Sequence, residues 1–413
     1  MNASITYRDH WPLVIVLAML TMADIMAIDL YLPAFPAVAA SFAASEAQVR
    51  ATLSVFIFGL AVGQLAYGPL LDRFGRRLPL LAGIALFVAG SVLAALAPSI
   101  EVLLGARLLQ AAGAAAGLVA PRAIVTDMFS AREAAAVYSV LGQIQMAAPV
   151  AAPLLGVFIL QWGGWRACFG VLALLVLAAW VAAYRVVPDS LPRHRRSPLS
   201  LRAVASAYAG LLRDRAFVLY SLAGACLLGG LFAYISSSPF ILMSGFGFSS
   251  IQFGLTFGGI ACLIIASGAL NIRLLPVFGP GRLLLAGLGL HALAALALLL
   301  AASAQAGAWL FVALLACCLG VLGLIFGNLA ALTMSHAGEH AGVASAFMGA
   351  SQYAGGAVIG LLAGSFGTTA VVLAATLFCC AVATLLLGVG AGRGGRAVVP
   401  SPPSSLSEPE ESP

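Results

Sequence analysis

The sequence predicts an all-α, polytopic membrane protein with twelve spanning helices. Only 8% of its 413 residues are Asp, Glu, Lys or Arg, 62% are hydrophobic, and the mean hydropathy is +1.07. No water-soluble surface can be assembled from that balance. The apolar residues come in runs of about twenty, the length that crosses a hydrocarbon core of about 30 Å. The alternating ten-residue segments of a membrane barrel are absent, so each crossing segment must satisfy its own backbone as a helix.

Taken in order, the first run, near 12–35, mimics a secretion signal because Ala37-Val38-Ala39 follows it. It is too long for a signal h-region and contains Asp24 and Asp29, so it reads as an uncleaved first span. Further runs lie near 51–70, 78–97, 102–124, 135–160, 165–186, 216–241, 251–272, 283–303, 308–331, 342–364 and 368–390. The seven cysteines fall within these runs without metal-type spacing and read as small apolar packers.

The net charge of +6 comes from 20 Arg and no Lys. An even number of spans puts both termini on one side. With that side cytoplasmic, 17 arginines face the cytoplasm, Arg50 and Arg166 lie outside, and Arg107 is within a span. The positive-inside rule predicts this bias, so topology accounts for the basic balance and a nucleic-acid partner is not called for. The charged stretch containing PRHRRSP divides the chain into a six-span bundle at 1–187, a cytoplasmic linker at 188–214 and a second six-span bundle at 215–391, followed by a polar, disordered tail at 392–413. An internal echo supports the division. FGRRLPLLAG at Phe74–Gly83 aligns with FGPGRLLLAG at Phe278–Gly287, each after the second span of its half, as parallel repeats require.

Ionisable groups inside a bilayer cost several kcal/mol, about 2.5–3.5 on insertion scales, so each calls for a function. At about 1.5 Å per residue, Asp24 lies near the midplane, while Asp29 and Arg107 each lie about 8–9 Å from the outer ends of their spans. A carboxylate in an apolar cavity takes up and releases a proton in the physiological range, which assigns Asp29 or Asp24 as proton carrier and Arg107 as the modulating charge. A static Asp29–Arg107 ion pair locking the first and fourth helices is the alternative. The two acids are five residues apart, about 140° around the helix, so they need not face one cavity.

GPLLDRFGRR, from Gly68 to Arg77, concentrates Gly68, Gly75, Asp72, Arg73, Arg76 and Arg77 between the second and third spans. Asp72 is placed to hold helix ends in one conformation and release them in another. The stretch closely resembles the signature loop of the major facilitator superfamily. AIDLYLPAFP at Ala27–Pro36 and GQLAYGPLLDRFGRR at Gly63–Arg77 resemble its bicyclomycin- and chloramphenicol-resistance branch of drug–proton antiporters. RLLQAAGAAAG at Arg107–Gly117 resembles the fourth-helix motif, whose arginine is associated with proton coupling. Gly142, Pro149, Pro153 and Gly156 resemble the antiporter motif of the fifth helix, although Ala148-Pro149 stands where Gly-Pro is usual. The likeness continues through GGWRACF, SSSPF and AGVASAFMGASQ and so covers nearly the whole chain. It implies two pseudo-symmetric six-helix bundles, rocker-switch alternating access, a monomeric protein of the bacterial inner membrane, and export of small amphipathic compounds in exchange for protons.

Tyr31, Gln64, Gln110, Gln143, Tyr234, Asn271, Asn328, Gln352 and Tyr353 are the remaining polar span residues singled out, placed either to line a substrate cavity or to join helices. No P-loop occurs, so no ATP is expected, nor any other cofactor or metal. A membrane enzyme would need a catalytic Ser/His, paired-Asp or metal set at one depth, and none emerges. A proton-coupled transporter or exporter of an amino acid or sugar remains the same-fold alternative.

Overall fold

The computed structural model describes residues 10–193, 196, 206, 208–337 and 341–394. Much of the expected linker 188–214 and nearly all of the expected tail 392–413 lie outside them. The described residues form long helices: α1 Trp11–Asp29, α2 Phe35–Phe42, α3 Glu46–Phe74, α4 Arg77–Ala95, α5 Ile100–Met128, α6 Ala131–Val186, α7 Arg215–Pro239, α8 Ser250–Ser303, α9 Ala308–Gly320, α10 Leu322–Ser335, α11 Ala341–Ser365 and α12 Ala370–Gly394. Ten stretches are long and apolar enough to cross a membrane, with α1–α2 and α9–α10 each forming one of them. At about 1.5 Å per residue, α6 and α8 are each far longer than a bilayer is thick. Each is interrupted once, at Gly164 (φ +69°) and Gly279 (φ +71°), and so supplies two crossings. Twelve spans result.

The two sets of six share local machinery at a spacing of 204 residues, or 203 in one case. Ser45 and Ser249 each cap a helix through a reciprocal bond with the glutamine three residues on, Gln48 and Gln252. Just before each cap the chain turns through positive φ, at Ala43 and at Gly247. Gly75 and Gly279, the matching glycines of the sequence echo, both adopt positive φ, as do Gly164 and Gly367. A left-handed residue is strained unless it is glycine, so these recurrences fix equivalent reversals in the two halves.

Small residues bring the helices together, since lipid offers no hydrophobic drive for association. A Cβ on Gly59 of α3 would lie 2.7 Å from the Ala111 Cβ of α5, and Gly63 one turn on approaches Ala115. Across the halves α3 lies along α11, and α6 along α8. The halves are closed together at the ends remote from the chain termini. There the Phe35 and Phe240 rings approach to 5.9 Å, and Gly254 and Gly258 of α8 pack on Leu154 and Val150 of α6.

Candidate functional site

Pro33 has no N–H to give the Asp29 carbonyl, so α1 ends at Asp29 and the chain passes through a 3₁₀ turn at Leu32–Ala34 before continuing as α2. The first span therefore breaks beside one of its two acids. Asp24 and Asp29 are both buried. Asp24 accepts a hydrogen bond from the Tyr353 hydroxyl of α11 on Oδ2 at 3.3 Å, a contact between the halves, while its Oδ1 has no partner. Asp29 makes no hydrogen bond among the described residues, and lies within electrostatic reach of Asp24 and of Tyr234 of α7. Asp24 thus reaches α11 of the second half directly, and no such contact is made by Asp29 among the described residues. Arg122 of α5 lies within the electrostatic reach of both Asp24 and Tyr353.

No Asp29–Arg107 ion pair forms among the described residues, so the static lock between the first and fourth spans is absent. The Arg107 guanidinium is instead enclosed by the rings of Phe56 at 4.1 Å, Tyr31 at 5.5 Å and Phe169 at 5.7 Å. Ring faces attract a cation electrostatically, and here they surround it where a carboxylate partner was the alternative. One guanidinium nitrogen bonds Gln110, which passes the contact to the Ser91 hydroxyl at 2.7 Å. The Arg107 Nε and Nη2 are unpartnered.

The polar span residues divide by engagement. Tyr31 contacts Thr52 and packs its ring on Phe35 and Phe169, Gln110 is committed to Arg107 and Ser91, and Asn328 donates to Asn271 at 2.7 Å. These four are taken up within their own halves. Gln64, Tyr234 and Tyr353 stand at the junction. The Gln64 Oε1 abuts Gly349 of α11 while its Nε2 has no partner, and the buried Tyr234 hydroxyl has none either, its ring stacked on Phe257. Gln352 lies beside Gly224, and Gln143 is exposed on α6. In the antiporter-type segment, Pro149 and Pro153 sit within α6, Gly156 lets the helix approach the Leu30 carbonyl, and Gly142 has open space beside it.

The signature stretch is helical up to Phe74, and only Gly75 and Arg76 form the break before α4. Gly68 has open space beside it. Arg76 binds Asp72 at 2.6 Å and Asp127, at the end of α5, at 2.8 Å, while its backbone N–H donates to Asp189 at 3.0 Å. Burial works against its charge, yet Asp127 and Asp72 hold the guanidinium above the ordinary arginine range. Arg196 closes the cluster on Asp189 at 2.5 Å, Arg77 donates to the Tyr184 carbonyl at 2.6 Å, and Arg73 lies over Phe74. All these partners belong to the first half or to the chain just after it. Sequence reasoning missed Asp127 and Asp189 because they lie on separate segments, and it missed the Asp24–Tyr353 contact because its partners are 329 residues apart. It also placed Arg50 in an outer loop, whereas Arg50 is buried in α3 against α11.

Helical architecture, a two-fold repeat and a polar junction between halves define a membrane transporter. Residues 17–360 match the Major Facilitator Superfamily, and the chain belongs to that family. It is 35% identical over 382 residues to the MFS-type transporter YdgK of Bacillus subtilis, covering 91% of this chain and 94% of that one. It is 29% identical over 374 residues to a bicyclomycin resistance protein homolog of Haemophilus influenzae, covering 90% and 94%. The fold matches a crystal structure of a D-xylose–proton symporter with TM-score 0.73 at 16% identity, over 92% of this chain and 97% of that one. The protein is thus a multi-pass transporter related to drug-resistance efflux proteins.

Proposed function

We propose that the chain exports small amphipathic, drug-like molecules across a bacterial inner membrane in exchange for protons, by rocker-switch alternating access. The observation that carries this reading is Asp24, a buried acid with one unpartnered oxygen whose other oxygen is held by Tyr353 of the opposite half. Movement of the halves changes the solvation and partners of this carboxyl, which is what couples proton binding to conformation. Asp24 or Asp29 carries the proton and Arg107 modulates it. Gln64, Tyr234, Gln352 and Tyr353, at or near the junction, supply hydrogen bonds and ring faces suited to an amphipathic cargo. The likeness to a bicyclomycin resistance homolog favours an antibiotic as cargo.

In this arrangement residues 1–187 and 215–391 move as two bodies joined by 188–214, with the tail at 392–413 and both termini cytoplasmic, as the arginine distribution favours. The Gly68–Arg77 segment with Asp127 and Asp189 keeps the helix ends of the first body together during the movement. The transporter works as a monomer.

The test is a proteoliposome assay with an imposed proton gradient, using chloramphenicol- and bicyclomycin-like compounds. Substrate should evoke proton movement, and Asp29→Asn or Asp24→Asn should abolish it while leaving the protein folded. Full transport in both variants would overturn the proton-carrier assignment. A response to an amino acid or sugar alone would keep the fold and replace the function.

A further inference from the structure

Arg50 is 2% exposed, within the first two turns of α3, at the seam where the halves close. Its Nη2 lies 3.4 Å from the Gly360 carbonyl of α11, and a Cβ on Gly364 would lie 3.6 Å from the guanidinium. Its Nε and Nη1 have no partner, and no carboxylate bonds it among the described residues. A latch would pair this cation well, and this contact does not. One long bond to a neutral carbonyl contributes little toward holding a buried cation. The negative end of α11 adds a modest attraction. Against these stand the desolvation of a buried ion, which exceeds the worth of one neutral bond, and two buried donors left unsatisfied. Separation of the halves would return the guanidinium to water. It would also free Arg50 to pair with Glu46, one turn earlier on the same helix face in the favourable i, i+4 order, whose charge already reaches it.

We infer that Arg50 is a built-in opposing charge at this seam: its incomplete solvation in the closed arrangement keeps the seal metastable and drives the halves apart at this end. The equivalent position 204 residues on is Gly254, which closes on Leu154 and Val157 with apolar contact only. The cation therefore acts at one seam of a pseudo-symmetric pair, where it opposes closure without a matching element opposite. The inference rests on the alternating-access reading only for the existence of an open arrangement, and it assumes nothing about cargo or protons.

The experiment uses the full-length protein in nanodiscs, without substrate or gradient, with both faces accessible. Ser54, 2% exposed and facing Gly360, is replaced in Ser54→Cys, and its labelling by a water-soluble maleimide is followed above the rate of the chain without that substitution. Adding Arg50→Met should slow labelling about tenfold or more, corresponding to about 1.4 kcal/mol in the open–closed equilibrium. Glu46→Gln, which leaves the buried contact intact, should slow it by a smaller factor. Val157→Cys, at the other seam, should show the same slowing with Arg50→Met. Faster labelling in Arg50→Met would show that the residue latches the seam, and an unchanged rate would show a packing role alone. A change confined to Ser54→Cys would mean local repacking. Any of these overturns the inference, whereas failure of drug efflux would leave it standing.

Discussion

The two halves repeat one backbone plan but differ in what they bury. Capping boxes at Ser45 and Ser249 and reversals at Gly75 and Gly279 recur 204 residues apart. At the same spacing Asp24 corresponds to Leu228, Asp29 to Ala233, Arg50 to Gly254 and Arg107 to Phe311. Arg107 and Phe311 are both fully buried, so equivalent interior sites hold a cation in one half and a ring in the other. The plan of the fold therefore tolerates an apolar residue at each position, and the charges of the first half are additions that folding alone does not require. Among the described residues the buried Asp and Arg side chains are concentrated in one body, while the second contributes Tyr234 and Tyr353 to the junction.

The most severe way to break that comparison is to give the first half the residue of the second. Arg107→Phe removes a buried cation with two unpartnered nitrogens from a cage already made of Tyr31, Phe56 and Phe169. Replacing buried charges by apolar groups is often neutral or stabilising by about 1–4 kcal/mol. We expect unchanged or higher thermal stability with gradient-driven transport reduced at least about a hundredfold, the scale on which coupling and general acid–base groups act. Transport near normal would mean that Arg107 is a relic of packing. A large loss of stability would mean that the cation organises the cage.

The element plan was legible because span length and hydropathy report directly on a bilayer, and because FGRRLPLLAG and FGPGRLLLAG carry the glycines that actually take positive φ. The acids were legible for a related reason, since an Asp inside an apolar run is conspicuous. Partners were not. Tyr353 meets Asp24 across the two halves, and Asp189 reaches Arg76 from beyond the sixth span, so no local pattern marks either contact. Arg50 was misplaced because it precedes the apolar run assigned to its span, whereas the capping box at Ser45 starts α3 earlier and carries Arg50 into the seam. The alternative of a static Asp29–Arg107 pair rested on depth arithmetic, which locates residues along the bilayer normal and says nothing of the rings that enclose Arg107.

The reversal glycines test the shared plan at a smaller scale. Gly75→Ala and Gly279→Ala each force a side chain into a positive-φ, extended conformation that essentially only glycine adopts, costing about 1–3 kcal/mol. At Gly279 the added Cβ meets open space, whereas at Gly75 it would lie 2.5 Å from the Asp189 carboxylate and 2.6 Å from the Arg196 guanidinium. Thermal unfolding should therefore show the larger loss for Gly75→Ala, by about 1 kcal/mol or more for displacing a charge-assisted contact. Equal losses would indicate that the Arg76–Asp189 cluster adjusts freely.

The smallest expected effect concerns the second half alone. Asn328 donates both to Asn271 at 2.7 Å and to the Leu324 carbonyl at 2.8 Å, so Asn271→Ala removes one of two bonds and leaves its partner partly satisfied. Interhelical polar contacts in membranes average about 0.6 kcal/mol, and a loss of that order should appear in thermal unfolding with transport unchanged. That outcome fits an Asn271–Asn328 pair that joins α8 to α10 and takes no part in transport. A fall in transport without loss of stability would place Asn271 against the cargo and add it to Tyr234, Gln352 and Tyr353, the second-half residues proposed to meet it.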